Sequence, residues 1–186
     1  MPAADLIFMK TFKEKYRQIL PDLTKSLGLK NQLAAPRLVK VVVSTGLGTR
    51  RDKKQQDLIA DRLAKITGQK PAWRGAHRAI ASFKVREGEK IGLLVTLRGK
   101  RMERFLDKLL NIAVPRMRDF RGFEESLVDD TGNLTLGLRE HTVFPETADE
   151  DLKDVFGLAI TLTTSAGTRP RGLALFRALD FPFRKV

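Results

Sequence analysis

The chain of 186 residues contains no cysteine, two histidines, one tryptophan and one tyrosine. Without cysteine there is no disulfide, no thiolate metal site and no thiol nucleophile, a usage at home in a reducing compartment. His77 and His141 stand far apart without ligand spacing, and no nucleophile elbow accompanies them. No apolar run approaches the roughly 18 residues of a membrane span. Met1 to Lys10 lacks the basic region followed by an apolar stretch that marks a secretory leader. These absences predict a soluble intracellular protein with no cofactor, no metal and no membrane partner. The paired acids Asp129 and Asp130 sit in a turn signal, Asp-Thr-Gly-Asn, and the acidic run 149–154 has no EF-hand pattern. Nothing here points to an enzyme.

Acidic residues are themselves scarce. There are 22, against 35 Lys and Arg, for a net charge of +13 and a pI near 10.3. Such a balance calls for a polyanionic partner. Its distribution is uneven: residues 1–122 hold 28 basic and 11 acidic residues, net +17, and residues 123–186 hold 7 and 11, net −4. The densest stretch runs from Gly68 to Arg104, with ten Lys or Arg opposed by Glu87, Glu89 and Glu103. Strand patterns inside it predict a folded basic surface, and we expect that surface to bind RNA.

Along the chain, Phe8, Phe12, Tyr16, Ile19, Leu20, Leu23 and Leu27 fall at helical spacing. Pro21 predicts the start of a second short helix and Gly28 its end. Pro36 opens a strand, Leu38 to Ser44, expected to be central in a sheet. Asp52 can cap a helix with Leu58, Ile59, Leu63 and Ile66 as its buried stripe, ended by Gly68. The intervening Gly46-Leu47-Gly48 invites a dinucleotide reading, but the third glycine of that motif would fall at Arg51, and no Gly-Lys-Ser/Thr loop exists. Backbone N–H groups at this helix start, beside Arg50, Arg51, Lys53 and Lys54, suit a nucleic-acid phosphate. Gln69 to Arg74 reads as extended. Trp73 fits either a core position or a platform for stacking on a base.

Ile80 to Arg86 and Lys90 to Arg98 read as a hairpin about Glu87-Gly88. Ile91, Leu93, Val95 and Leu97 should face the core with Phe83 and Val85. The other face would show Ser82, Lys84, Arg86, Thr96 and Arg98. Lys100 to Val114 predicts a helix, Leu134 to Arg139 and Val155 to Thr163 strands, and Arg171 to Leu179 a last helix. Strands and helices mix without a βαβ rhythm. The expected fold is therefore α+β, with a mixed, largely antiparallel sheet covered by helices on one face. We expect one domain over 1–186, with a helical segment 1–35 and an α+β body 36–186. Two other readings are a basic RNA-processing enzyme and a DNA-binding protein. The first needs acids clustered near the basic face, and the second a basic recognition helix; neither is present.

A set of blocks then carries a resemblance. They are 41–48 (Val-Val-Val-Ser-Thr-Gly-Leu-Gly), 66–71 (Ile-Thr-Gly-Gln-Lys-Pro), 83–88 (Phe-Lys-Val-Arg-Glu-Gly), 95–99 (Val-Thr-Leu-Arg-Gly), 115–122 (Pro-Arg-Met-Arg-Asp-Phe-Arg-Gly), Gly132-Asn133, Phe144-Pro145-Glu146 and Pro182-Phe183. In this order they resemble the bacterial large-subunit ribosomal proteins of the L-five family. The resemblance implies a non-enzymatic, ribosome-bound cytoplasmic protein. It implies binding to 5S rRNA in the central protuberance, with large-subunit rRNA, P-site tRNA and neighbouring ribosomal proteins, including a basic protein of the small-subunit head, as partners. Carried over by position, it assigns Arg37, Ser44, Gly46, Gly48, Gln69, Lys70, Lys84, Arg86, Thr96 and Arg98 to rRNA. It assigns Trp73, Arg74, His77 and Arg78 to tRNA, and Arg116, Arg118, Asp119 and Arg121 to the subunit bridge. The family usually has Asn at Ser44, Phe-Asp-Gly at 128–131, and an aromatic residue at Leu134.

Overall fold

The alternating valines of residues 38–44 do build a strand, β1 (Leu38–Gly46), in a computed structural model that describes residues 12–48, 52–118, 120–147 and 155–184. Alternation buries Val41, Val43 and Thr45 and turns Lys40, Val42 and Ser44 to the other face. β1 is central. It pairs with β3 (Lys90–Leu97) on one side and β5 (Leu158–Thr164) on the other. β2 (Ala72–Gly75) continues the sheet beyond β3, and β4 (Leu134–Leu138) beyond β5. The order is β2-β3-β1-β5-β4 and every ladder is antiparallel.

One face of this sheet meets the helices. Leu93, Val95 and Leu97, Ile160 and Leu162, and Leu134, Leu136 and Leu138 all point that way. Helix α1 (Phe12–Ser26) adds Phe12 and Leu23, and α2 (Lys53–Thr67) adds Ile59, Leu63 and Ile66. Helix α3 (Gly99–Lys108) adds Met102, Phe105 and Leu106, and α4 (Arg169–Ala178) adds Leu175 and Phe176. These side chains join one apolar core, which is the α+β arrangement expected. Phe144 is fully buried there, its ring 5.9 Å from that of Phe105.

Local signals explain both ends of α2. The Asp52 carboxylate accepts the Lys54 N–H at 3.1 Å, and Gly68 closes α2 in the left-handed region at φ +67°. Two expectations are corrected. Pro21 does not begin a second helix; α1 runs through it. Pro21 and Arg17 are both exposed, so the carbonyl that loses its partner lies on the solvent side of the helix and not in the core. Ile80 to Arg86 is not a strand. Ile80 and Val85 form only an isolated bridge around a 3-10 turn, Ala81–Phe83, closed by Lys84 at φ +52°. Phe83 is 72% exposed and Ile91 40%. The ladder of β2 ends at Gly75 opposite Lys90, so the loop beyond it has no adjoining strand to extend and no core for Phe83 to face.

Candidate nucleic-acid interface

The sheet face away from the helices forms a register map of outward side chains. Arg74, Gly92 and Gly46 make one row; Ala72, Leu94, Ser44, Ala159 and Gly137 make the next. Thr96, Val42, Thr161 and Thr135 follow, then Lys40 beside Thr163. The Thr135 and Thr161 hydroxyls lie 3.2 Å apart. Small and hydroxyl-bearing side chains dominate, a surface that lets another backbone come close and offers it donors and acceptors. Arg98 is extended at φ −139° after β3, so alternation carries it to the same face as Thr96.

Cations ring this face. Lys40 is half-buried, and Lys70, Arg74 and Arg98 are exposed. Among the described residues, none of these four is ion-paired. Gln69 is held in place: its amide donates to the Thr96 carbonyl at 3.5 Å and accepts from Arg101 at 3.2 Å. Arg37 is exposed at the mouth of β1, where its backbone N–H donates to the Ser165 hydroxyl at 3.0 Å. Gly46 has open space where a side chain would be, and Gly48 turns the chain at φ +57°.

The expected rRNA residues Arg37, Ser44, Gly46, Gln69, Lys70, Thr96 and Arg98 therefore lie on or beside one surface. Lys84 and Arg86 do not join it as sheet residues. They sit in the projecting 76–89 loop, where the Arg86 N–H donates to Glu89 at 2.9 Å. His77 and Arg78 are exposed in that loop. Trp73 is half-buried against the core opposite Leu93, with the Lys90 ammonium 4.6 Å above its ring, so both apolar packing and a cation occupy its surface. Arg116, Arg118 and Arg121 are exposed. Asp119, the arginines at 50 and 51 and the acidic run 149–154 lie outside the described residues.

The sequence reading missed Lys40, Thr135, Thr161 and Thr163. The signal was there for Lys40, which shares parity with Val42 and Ser44 in β1. For Thr161 and Thr163 the outward parity of β5 could have been read from Leu158, Ile160 and Leu162, and for Thr135 that of β4 from Leu134, Leu136 and Leu138. Asp129 proves to be a turn carboxylate, accepting from the Asn133 N–H at 2.7 Å and the Thr131 hydroxyl at 2.9 Å. Burial pushes its pKa up, but these hydrogen bonds outweigh that and hold it below the usual range. Among the described residues no group of three or more His, Asp or Glu could hold a metal ion.

The family profile described as "Ribosomal protein L5" matches residues 31–86, and the profile for the C-terminus of the same ribosomal family matches residues 90–183. The chain belongs to the ribosomal L5 family. A "Large ribosomal subunit protein uL5" from Anaeromyxobacter sp. (strain K) is 46% identical over 175 residues, covering 93% of this chain and 97% of that protein. Those of Prochlorococcus marinus (strain MIT 9211), at 46%, and Rubrobacter xylanophilus, at 44%, each align over 178 residues, 95% of this chain and 99% of theirs. Membership in the L5 family makes the chain a structural ribosomal protein and not an enzyme. The boundary between the two matched profiles falls just before β3. Both halves thus contribute strands to one sheet, β1 and β2 from the first and β3, β4 and β5 from the second.

Proposed function

We propose that the helix-free face of the sheet is the surface on which this protein holds 5S rRNA. As an L5-family member the chain is a structural protein of the large ribosomal subunit, at work on the cytoplasmic ribosome. The observation that carries the 5S reading is the coincidence on one face of close-approach side chains (Ser44, Gly46, Ala159, Gly137), hydroxyls (Thr96, Thr161, Thr135) and cations outside any ion pair (Lys70, Arg74, Arg98) among the described residues. Cations neutralise phosphates and release counterions, while hydroxyls and the fixed Gln69 amide address bases and 2′-OH groups. The projecting 76–89 loop, with His77 and Arg78 exposed, extends this surface toward a second RNA, which we assign as P-site tRNA. A bridge to a basic protein of the small-subunit head falls to the net acidic last third of the chain.

The test is titration onto 5S rRNA at several salt concentrations, with tRNA and duplex DNA as competitors. Preferential 5S binding is expected, with Lys70→Ala and Arg98→Ala each lowering the salt slope by about one. Equal binding to all three polyanions would reduce the surface to a charge patch and end the 5S assignment.

A further inference from the structure

From the geometry we infer that the RNA path does not stop in the middle of the sheet but crosses to the β4 edge, where a phosphate seats in a cleft between Arg116, Arg118 and Arg139. The inference rests on the RNA reading of the open face. The cleft, of ≈ 640 Å³, lies between the turn after α3, with Arg116 and Arg118, and the end of β4, with Gly137 and Arg139. All three arginines are exposed, and none is ion-paired among the described residues. The one carboxylate in the lining, Glu140, accepts from the Thr142 hydroxyl at 3.3 Å. Guanidinium groups in such a setting suit an oxyanion, which they grip with two parallel hydrogen bonds. A basic protein would be repelled, so Arg116 and Arg118 are taken from the bridge role that the family resemblance gave them.

Two features of the backbone tie the cleft to the RNA face. β4 is the edge strand, and the only described bridge on its outer side is Val128 to Leu134, with the Asp129 N–H donating to the Asn133 carbonyl. Backbone groups of alternate residues point to alternate sides of a strand. Residue 133 points outward, so Gly137 does too, and its N–H is offered at the cleft. Gly137 also ends the row that runs through Ser44 and Ala159. No atom lies within 4 Å of a Cβ built on Gly137. A sugar-phosphate strand can therefore pass over Ser44, Ala159 and Gly137 and reach the arginines without meeting a large side chain. Four strand spacings of about 4.8 Å separate β2 from β4, roughly 19 Å, so the two edges engage different phosphates of one RNA.

The experiment compares wild type, Lys70→Ala, and the double variant Arg118→Ala/Arg139→Ala, full length, in 5S rRNA titrations across salt. Urea midpoints confirm that each is folded. The double variant should lower the salt slope by about one to two units and weaken binding at least about tenfold at roughly 0.15 M salt, while Lys70→Ala lowers the slope by about one. A double variant with unchanged slope beside a Lys70→Ala that loses its unit overturns the cleft and leaves the RNA face standing. Wild type that shows no preference for 5S rRNA over duplex DNA removes the RNA reading, and the cleft proposal with it.

Discussion

Gly172→Ala should destabilise the protein although it places a better helix former in a helix. In isolation Ala gains about 1 kcal/mol over Gly inside a helix. Here a Cβ on Gly172 would stand 2.5 Å from the Gly132 carbonyl oxygen and 2.6 Å from its Cα. Ordinary contact begins at 3.4 Å, so α4 and the 129–133 turn must separate by about 0.9 Å. Both partners are backbone, and neither moves freely. The Gly132 carbonyl accepts from the Thr164 hydroxyl at 2.8 Å, and the Asn133 side chain accepts from the Thr164 N–H at 2.9 Å. On the helix side, Leu175 and Phe176 are fixed in the core. Overpacking of this kind costs about 1–3 kcal/mol, and more where nothing yields. Since both partners here are held backbone, the upper part of that range, about 2–3 kcal/mol, applies; less the helix-propensity gain, a net loss of about 1–2 kcal/mol follows, or about 2–8 °C in Tm for a chain of this size. Urea unfolding followed by the fluorescence of Trp73, the single tryptophan, reads it directly. Gly137→Ala is the control, expected within about 0.5 kcal/mol of wild type because its Cβ meets nothing. A Gly172→Ala variant as stable as wild type would refute the close backbone approach and the reasoning built on it.

Phe144→Ala removes a fully buried ring stacked on Phe105 and should cost about 3–5 kcal/mol, seen as a lower urea midpoint at similar slope. Phe83→Ser, at a side chain 72% exposed, should change stability by less than about 0.5 kcal/mol; a loss above about 1.5 would mean that the 76–89 loop packs on the body through this ring. Asp129 titrates below its ordinary 3.8 in the folded protein, so its contribution is present above that pH and lost as pH falls below it. The stability gap between wild type and Asp129→Asn should accordingly narrow on acidification below 3.8, and a gap constant with pH would count against the Asn133 and Thr131 hydrogen bonds.

How far the sequence predicts this molecule depends on where the determining contacts lie. The alternation of β1, the Asp52 cap, the Gly68 stop and the inward stripes of α2 and α3 are set by neighbours a few residues away, and they were legible. Residues 80–86 misled because alternation also occurs where no sheet is available; the deciding fact, that β2 is only four residues long, is a tertiary one. Pro21 misled because a proline's cost depends on whether the orphaned carbonyl is wet. At the candidate site, the basic residues were visible in composition. The row from Ser44 through Ala159 to Gly137 was not, because it joins β1 to strands roughly a hundred residues further along through register alone. The Arg116, Arg118 and Arg139 cleft was hidden because tertiary packing, not sequence proximity, brings the turn after α3 to the end of β4.

The central place of β1 has a consequence for how the chain is made. Its outer partners come from well-separated parts of the sequence: β3 begins at Lys90, and β5 is complete only at Thr164. Synthesis thus delivers the middle strand early and its second neighbour late, and pairings of such long sequence separation form slowly. Until Leu158–Thr164 emerges, β1 lacks the strand on one of its two sides, and residues 1–122, already made, carry net charge +17. Ten of the eleven acidic residues beyond 122, Glu124 to Asp154, precede the strand that closes the sheet, so synthesis lowers the charge before it completes the surface.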